Sequence, residues 1–376
     1  MATYVEKVYK EFIRFEEREF LKDVHHYFLI LSEKPKNFKS PSTSKLKKIY
    51  NNYYKESFFS FLKRLKDIIY SPTPFDFLLK NYTDRWSLLS LLEFLNKSEI
   101  IEMQGEKVVF KKRIFYKIIP PPMKEEEIRE KIEKKLKRTI ELDAPSNYLF
   151  GTKIEGEKYD QLPISVSSAI FVVKKILDYL PLNETFLFIG DDDLVSIYLT
   201  LSNPMIHCLV VDIDENLLKR ISEIAKEHNL KIKTKMCDIQ KVKKLEGEFT
   251  GFLLNPVYNY EGAKRFLNFG VKQLGEKGGF VFLELGDESI GNKLLFLQDF
   301  FTKNNLIVEE LIKEKCFYPY FRAHPKEDES LENEFKKFFS EKTIKGNPIL
   351  GASLWIFKYV PFELKIPEKQ PLYIYL

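Results

Sequence analysis

The spacing of apolar positions along the chain changes near residue 140, from a helical period to short apolar runs separated by helical stretches. In the first part Phe12, Phe15, Phe20, Tyr27, Phe28 and Leu31 recur at roughly helical intervals. After a polar stretch with Pro35 and Pro41 the period returns, with Tyr50, Tyr54, Phe58, Phe61 and Leu65 on one face. In the second part TFLFIG (185–190), IHCLVVDID (206–214), a stretch within KIKTKMCDI (231–239), GFLLNP (251–256) and GGFVFLEL (278–285) read as five strands. Helices are expected over Asp191–Leu201, over Glu215–His228 and from the end of the fourth strand through Leu274. Strands alternating with helices of this length build a parallel sheet with crossovers, so the fold class expected is α/β, doubly wound and Rossmann-like. Two later apolar runs, Leu306–Ile312 and Leu354–Tyr359, are expected to complete the sheet as antiparallel strands, and no internal repeat is visible.

Residues 71–118 follow the order of a winged helix. Pro72 and Pro74 precede a short helix over 75–80, Thr83 or Asp84 caps a second over Trp86–Leu95, and IIEMQGEKVVFKK reads as a hairpin turning at Gln104–Gly105. Such a module binds nucleic acid or serves as a scaffold for dimerisation or for covering an active site. The recognition position holds Leu88, Leu89, Leu91 and Leu92 with few arginines, which favours the scaffold. Pro120–Pro122 form a stiff break, and residues 124–140 read as a charged helix with Glu and Lys at i,i+4 spacing. The expected division is therefore an N-terminal helical and winged-helix-like domain, 1–140, and a catalytic domain, 141–376.

Composition narrows the function. A length of 376 residues exceeds what one ordinary core serves, and the 44% hydrophobic fraction is ample for two. The net charge of +5 is spread over 60 basic and 55 acidic residues, which argues against a nucleic-acid partner. The abundance of Lys, Glu, Ile and Phe fits a thermophile with surface ion-pair networks. Cys208, Cys237 and Cys316 show no CxxC spacing, so reduced thiols and no zinc site are expected. The opening MATYVEKVYKEF lacks an apolar signal core, and no run approaches the ~18 apolar residues of a membrane span, so a cytoplasmic protein with no membrane partner is expected.

In open α/β sheets, ligands bind beyond the carboxyl ends of the strands. Five clusters stand there: Gly190–Asp193, Asp212 with Asp214, Asp238, Asn255–Tyr258, and Glu284 with Asp287 and Glu288. Asp212 suits ribose hydroxyls and Asp238 an adenine amino group; with Gly190 and Asp214 they describe a nucleoside pocket, although strand-end acids also cap helices. A dinucleotide site wants G-x-G-x-x-G, whereas the turn reads Gly190-Asp191-Asp192-Asp193. Three carboxylates there would repel pyrophosphate and attract a cation, which argues against NAD and ATP. They also suit decarboxylated S-adenosylmethionine better than S-adenosylmethionine, whose own carboxylate lies near this turn. Asn255-Pro256-Val257-Tyr258 approximates the (Asp/Asn)-Pro-Pro-(Tyr/Phe) motif of transferases that modify an amine nitrogen, and Asn-Pro is also a common turn.

Taken in order, Tyr159-Asp160-Gln161, FIGDDDLVSIYLTLS (188–202), VVDIDENLL (210–218), Asp238, the Asn255–Gly270 segment with Glu261 and Phe266, Glu288-Ser289 and SLWIF (353–357) resemble the branched-chain polyamine synthases, or N(4)-bis(aminopropyl)spermidine synthases, over roughly residues 155–360. The resemblance implies a Rossmann-like domain of the methyltransferase type. It implies transfer of aminopropyl groups from decarboxylated S-adenosylmethionine to the secondary amine of a polyamine such as spermidine, giving branched polyamines. It assigns Asp192 to face the reactive amine, Asp191 and Asp193 to help hold the polycation, and Asp212 to the ribose. Tyr159, Asp160 and Gln161 would line the entrance, Asn255, Tyr258 and Glu261 the acceptor, and Glu284 and Glu288 the acidic wall. The chain departs from the family where Asp-Pro-Pro-Glu is replaced by Asn255-Pro256-Val257-Tyr258, which removes two acids, and where the cysteine pair between the domains is missing.

The leaving group of such a transfer, methylthioadenosine, is neutral, so no metal is required. Two other readings stand beside it. An S-adenosylmethionine-dependent N-methyltransferase accounts for Asn255–Tyr258 but not for the acidic turn. A winged-helix sensor of nucleoside or polyamine would be non-enzymatic and bind DNA in a salt-dependent way. The N-terminal helices suit a homodimer.

Overall fold

The computed structural model describes residues 2–30, 42–51, 55–71, 85–105, 107–151, 161–181, 184–319, 333–340, 343 and 350–362. The chain forms two compact units, one of residues 1–119 with those described from Val360 onward, the other Pro120–Tyr359. The division falls at Pro120 rather than near residue 140, because the charged helix beyond the prolines packs on helices of the second unit.

The first unit holds α1 (Ala2–Ile30), α2 (Thr43–Ile49), α3 (Phe58–Ile69), α4 (Arg85–Lys97), a hairpin of β1 (Ile101–Gln104) and β2 (Lys107–Phe110), and α5 (Arg113–Ile118). Aromatic residues at helical spacing make its core. Val5, Val8, Phe12 and Phe15 are buried along α1, and Phe12 stacks on Phe61 of α3 at 5.0 Å between ring centroids. Ser57 caps α3 by accepting from the Ser60 N–H. The expected hairpin is present, pairing Ile101 with Phe110 and Gln104 with Lys107 around Gly105. Leu91, Phe94 and Leu95 of α4 are core residues. The short helix expected over 75–80, the side chains of Leu88 and Leu89, and Tyr27, Phe28, Leu31 and Tyr54 lie outside the described residues or side chains.

The second unit opens with α6 (Glu125–Leu136), a 3-10 turn (Ser146–Phe150) and α7 (Val166–Tyr179). The alternating part follows: β3 (Thr185–Ile189), α8 (Val195–Ser202), β4 (His207–Asp212), α9 (Glu215–Glu227), β5 (Ile232–Met236), β6 (Gly251–Leu254), α10 (Tyr260–Val271) and β7 (Gly279–Leu285). Two short helices, α11 (Asp287–Ile290) and α12 (Leu294–Lys303), precede the long strands β8 (Leu306–Tyr318) and β9 (Leu350–Tyr359). Seven strands form one sheet in the order β5-β4-β3-β6-β7-β9-β8, parallel through β7 and antiparallel at β9 and β8. This is the doubly wound, Rossmann-like fold that the alternation predicts.

The central strands are covered on both faces, which is why they read as continuous apolar runs. Phe186, Phe188, Phe252, Phe280 and Phe282 are fully buried, each contributing on the order of 2 kcal/mol through apolar burial. α6 keeps only Ile128 and Ile132 inside, one turn apart, and presents its charges elsewhere. The first helix of the alternation starts at Val195, not at Asp191; Asp191–Leu194 form a tight turn instead. The chain leaves β3 toward β4 and β5, then returns to place β6 on its other side, so the topological switch lies between β3 and β6.

Candidate active site

Register builds the site. Ile189 pairs with Val211 on one side and with Leu254 on the other, so the segments after β3, β4 and β6 emerge side by side. Beyond them lies a cavity of about 590 Å³. Gly190 lets β3 turn into it, with φ of +78°, a conformation that side chains disfavour. Leu194 is buried in the left-handed region at φ +56° and closes the turn, its N–H donating to the Asp191 carbonyl at 3.0 Å.

The three aspartates of this turn part company. Only Asp192 opens on the cavity. Asp191 points away and caps α8, accepting from the Ser196 N–H at 3.3 Å. Asp193 lies behind the wall, accepting from the Ile164 N–H at 2.7 Å and from the Asn255 amide at 3.1 Å. Asp191 and Asp193, expected to help hold the polycation, are each 4% exposed or less, stand outside the cavity lining and are engaged by neighbouring N–H groups. All three carboxyls are pushed well above the usual range, chiefly by burial. At Asp192 the charges of Asp193 and Asp212 raise it further.

Asn255 and Tyr258 both line the cavity. The Asn255 amide donates to Asp193 and to the Tyr318 hydroxyl, each at 3.1 Å, and the Tyr258 and Tyr318 hydroxyls bond to each other. Burial raises both phenols well above their ordinary range. The Tyr258 ring packs on Gly286, where an added Cβ would fall 2.5 Å from a ring carbon. Tyr318 is missing from the residues that sequence reasoning selected. It arrives because β8 is bulged between Ile312 and Cys316 and runs past its expected end. Its last residues tie to α7: the Ser165 N–H donates to the Phe317 carbonyl at 2.7 Å, and the Phe317 N–H to Ser168 Oγ at 2.9 Å.

The opposite wall belongs to β4 and β5. Asp212 lines the cavity and accepts from the Asp214 N–H at 2.8 Å; burial raises its carboxyl. Asp238 lines it too, but is held below its ordinary range by Lys241, 3.0 Å away, and by the Gln240 N–H. Between them Ile213 presents an exposed apolar side chain to the cavity, matched by Val257. Gln161 and Glu261 complete the predicted residues that line it; Arg265, one helical turn beyond Glu261, was not among those expected.

Four other predicted residues stand elsewhere. Asp214 is a helix cap, accepting from the Asn216 and Leu217 N–H groups and from the Gln161 amide. Glu284 is fully buried and stands outside the cavity wall. Glu288 is exposed on α11, away from the cavity, and the neighbouring Asp287 is spent on Ser353 and Trp355, which donate to it at 2.7 and 2.8 Å. Tyr159 and Asp160 lie outside the described residues. Among the described residues no group of three or more His, Cys, Asp or Glu side chains is placed to hold a metal ion, and no helix is long and apolar enough to cross a membrane.

Residues 153–340, half of the chain, match the sequence profile of the branched-chain polyamine synthase A C-terminal domain. An uncharacterised protein of Methanocaldococcus jannaschii is 34% identical over 137 residues, 36% of this chain and 34% of that protein. The N(4)-bis(aminopropyl)spermidine synthase of the same organism is 30% identical over 136 residues, 35% of this chain and 39% of that protein. The matched stretches therefore span little more than a third of these relatives' own length. Among solved structures, a mutein of the branched-chain polyamine synthase from Thermus thermophilus, in complex with N4-aminopropylspermidine and 5′-methylthioadenosine, covers 80% of this chain and 87% of its own at 16% identity and a TM-score of 0.48.

Proposed function

The chain belongs to the branched-chain polyamine synthase A family, and on that footing we propose that it is an aminopropyltransferase. Its donor is decarboxylated S-adenosylmethionine, and its acceptor is the secondary amine of a polyamine such as spermidine, which becomes a branched polyamine. The observation that carries this reading is Asp192, a carboxyl that opens on a nucleoside-sized cavity from a turn crowded with negative charge, where among the described residues no lysine or arginine forms an ion pair with it. Such a turn accepts an ammonium ion and rejects phosphate.

The chemistry is a direct substitution. The amine nitrogen attacks the carbon next to the sulfonium; the N–C bond forms as the C–S bond breaks, and the electron pair leaves on sulfur as neutral methylthioadenosine. The nitrogen's proton passes to Asp192, an effect of about 10²–10⁴-fold for a positioned base. Alignment of the two substrates supplies more, ~7–11 kcal/mol at best. In this reading Asp212 accepts from the ribose hydroxyls and Asp238 from the adenine amino group, while Ile213 and Val257 offer apolar surface to the base; their common lining of the cavity supports it.

Asn255-Pro256-Val257-Tyr258 supports methyl transfer to an amine as a second reading; the acidic turn, which would face the carboxylate of S-adenosylmethionine, disfavours it. The test is mass spectrometry of reactions containing spermidine and either donor. Products heavier by one or two aminopropyl units, formed only with the decarboxylated donor, are expected. Methylated amine from S-adenosylmethionine, or no product from either, overturns the proposal.

A further inference from the structure

Glu284 occupies a place that neither the strand nor the cavity explains. Its neighbours along β7, from Phe280 to Leu285, are otherwise apolar and buried, so the strand needs no acid for its own packing. Neither carboxyl oxygen has a hydrogen-bond partner. The Cys316 thiol lies beside it, near enough to favour the ionised form but outside hydrogen-bonding geometry. The groups facing it come from three elements: Asp191, Asp192 and Asp193 of the turn after β3, Tyr258 after β6, and Cys316 and Tyr318 of β8. The charges that act on it, Asp192 and Asp191, are both negative.

Like charges this close do not all ionise, and the proton settles on the member with the poorest solvation. The hydrogen bonds rank the four acids. Asp191 has the Ser196 N–H, Asp193 has the Ile164 N–H and the Asn255 amide, and Asp192 has the open cavity. Glu284 has nothing comparable.

We propose that Glu284 is a positioning residue that holds a proton behind the turn, so that the cluster's negative charge collects on Asp192, the one member an amine can reach. The inference deepens the aminopropyl-transfer reading and rests on it for the role of Asp192. In agreement, burial first and the Asp192 charge next push the Glu284 carboxyl up to about 8. While Glu284 keeps its proton, Asp192, the member open to the cavity, is the one left to carry the charge; once Glu284 loses it, a second negative charge builds behind the base.

Infrared spectroscopy of the full chain with labelled glutamate carboxyls reads the proton without any activity. A protonated glutamate band is expected at pH 7, lost in a step near 8, and absent from Glu284→Gln. In Asp192→Asn, which lacks the largest charge acting on Glu284, the step is expected at lower pH, so the idea stays testable if Glu284→Gln folds poorly. No protonated band in the wild type, a band unchanged in Glu284→Gln, or a step unmoved in Asp192→Asn overturns the proposal. Where transfer is measurable, the pH profile of kcat/KM is expected to carry the same ionisation and to lose it in Glu284→Gln; an identical profile in both proteins overturns the positioning role. Absence of transfer to any amine, with the infrared step intact, overturns the aminopropyltransferase reading and leaves the placement of the proton standing.

Discussion

The two walls of the cavity are made of the same material, strand-end aspartates on one sheet, yet they hold opposite electrostatic states. On the β5 side, half-buried Asp238 pairs with Lys241 and takes an N–H from Gln240, which hold it below its ordinary range, so its charge is permanent. On the β3 side, Asp191 and Asp193 are buried and Asp192 half-buried; they crowd one another and Glu284, and among the described residues no lysine or arginine forms an ion pair with them, so their charge is conditional. Asp212 stands between, raised by burial but steadied by the Asp214 N–H. A permanent acceptor suits hydroxyl and amino donors of a nucleoside, whose geometry matters more than their charge. A conditional one suits an amine that arrives as a cation and must leave its proton behind. The comparison teaches that residue type and strand position do not assign a role; the donors and charges around each carboxyl do.

The sharpest way to break this comparison is Asp192→Asn. The variant keeps the shape of the turn and removes its proton acceptor, so kcat/KM for the amine is expected to fall by about 10²–10⁴-fold. Calorimetric affinity for methylthioadenosine should stay near the wild-type value, because the site proposed for that ligand is on the other wall. Equal losses of both would show that the walls are not separate.

Asp212→Ala tests the reverse. Removing the carboxylate proposed to accept from ribose is expected to cost about 1.5–3 kcal/mol of nucleoside affinity, while polyamine binding in the absence of donor stays nearly unchanged. Asn255→Ala addresses the join between the walls. It strips a donor from buried Asp193 and from Tyr318, which is expected to lower stability by about 1–3 kcal/mol in thermal unfolding. An unaltered melting point would mean that the Asn255 amide carries no part of that network.

Much of this was legible in the sequence, and the misses have physical causes. The strand–helix alternation set the sheet, its parallel core and its antiparallel edge, because buried strands leave unbroken apolar runs. Strand ends then located Gly190, Asp192, Asp212, Asp238, Asn255 and Tyr258, all of which line one cavity. What the pattern lacks is side-chain direction inside a turn. The left-handed conformation of Leu194 delays α8 to Val195 and turns Asp191 and Asp193 away from the cavity, and a leucine carries no mark of that. Tyr318 was hidden because the bulge in β8 breaks the alternation on which its reading depends. The helix α7 did leave a signal, Ala169, Ile170, Val173, Ile176 and Leu177 at helical spacing, that went unread. Glu284 was legible as an acid at a strand end but not as one sealed behind its neighbours.

Glu284 sharpens the comparison through stability. Its folded pKa lies above the ordinary carboxylate value, so the native state keeps a proton that the unfolded chain gives up. Native stability from this group is therefore fully present below the unfolded value and is lost as pH rises toward about 8. Thermal unfolding of the wild type between pH 5 and 9, referred to Glu284→Gln, is expected to show that decline, on the order of a few kcal/mol at most. Parallel curves for the two proteins would mean that Glu284 ionises in the fold as it does in the open chain.

The smallest effect belongs to Asp238→Asn, and its smallness is the point. Asp238 is half-buried but paired with an exposed lysine, and pairs open to solvent on one side contribute little. An asparagine oxygen still accepts from an adenine amino group, so only charge is lost. Nucleoside affinity is expected to change by less than about threefold, since exposed charges are well screened, and high salt should mask even that. A loss as large as that of Asp212→Ala would mean that the ligand carries positive charge on the β5 side as well. The division between a permanent wall for the nucleoside and a conditional wall for the amine would then have to be redrawn around where the cation sits.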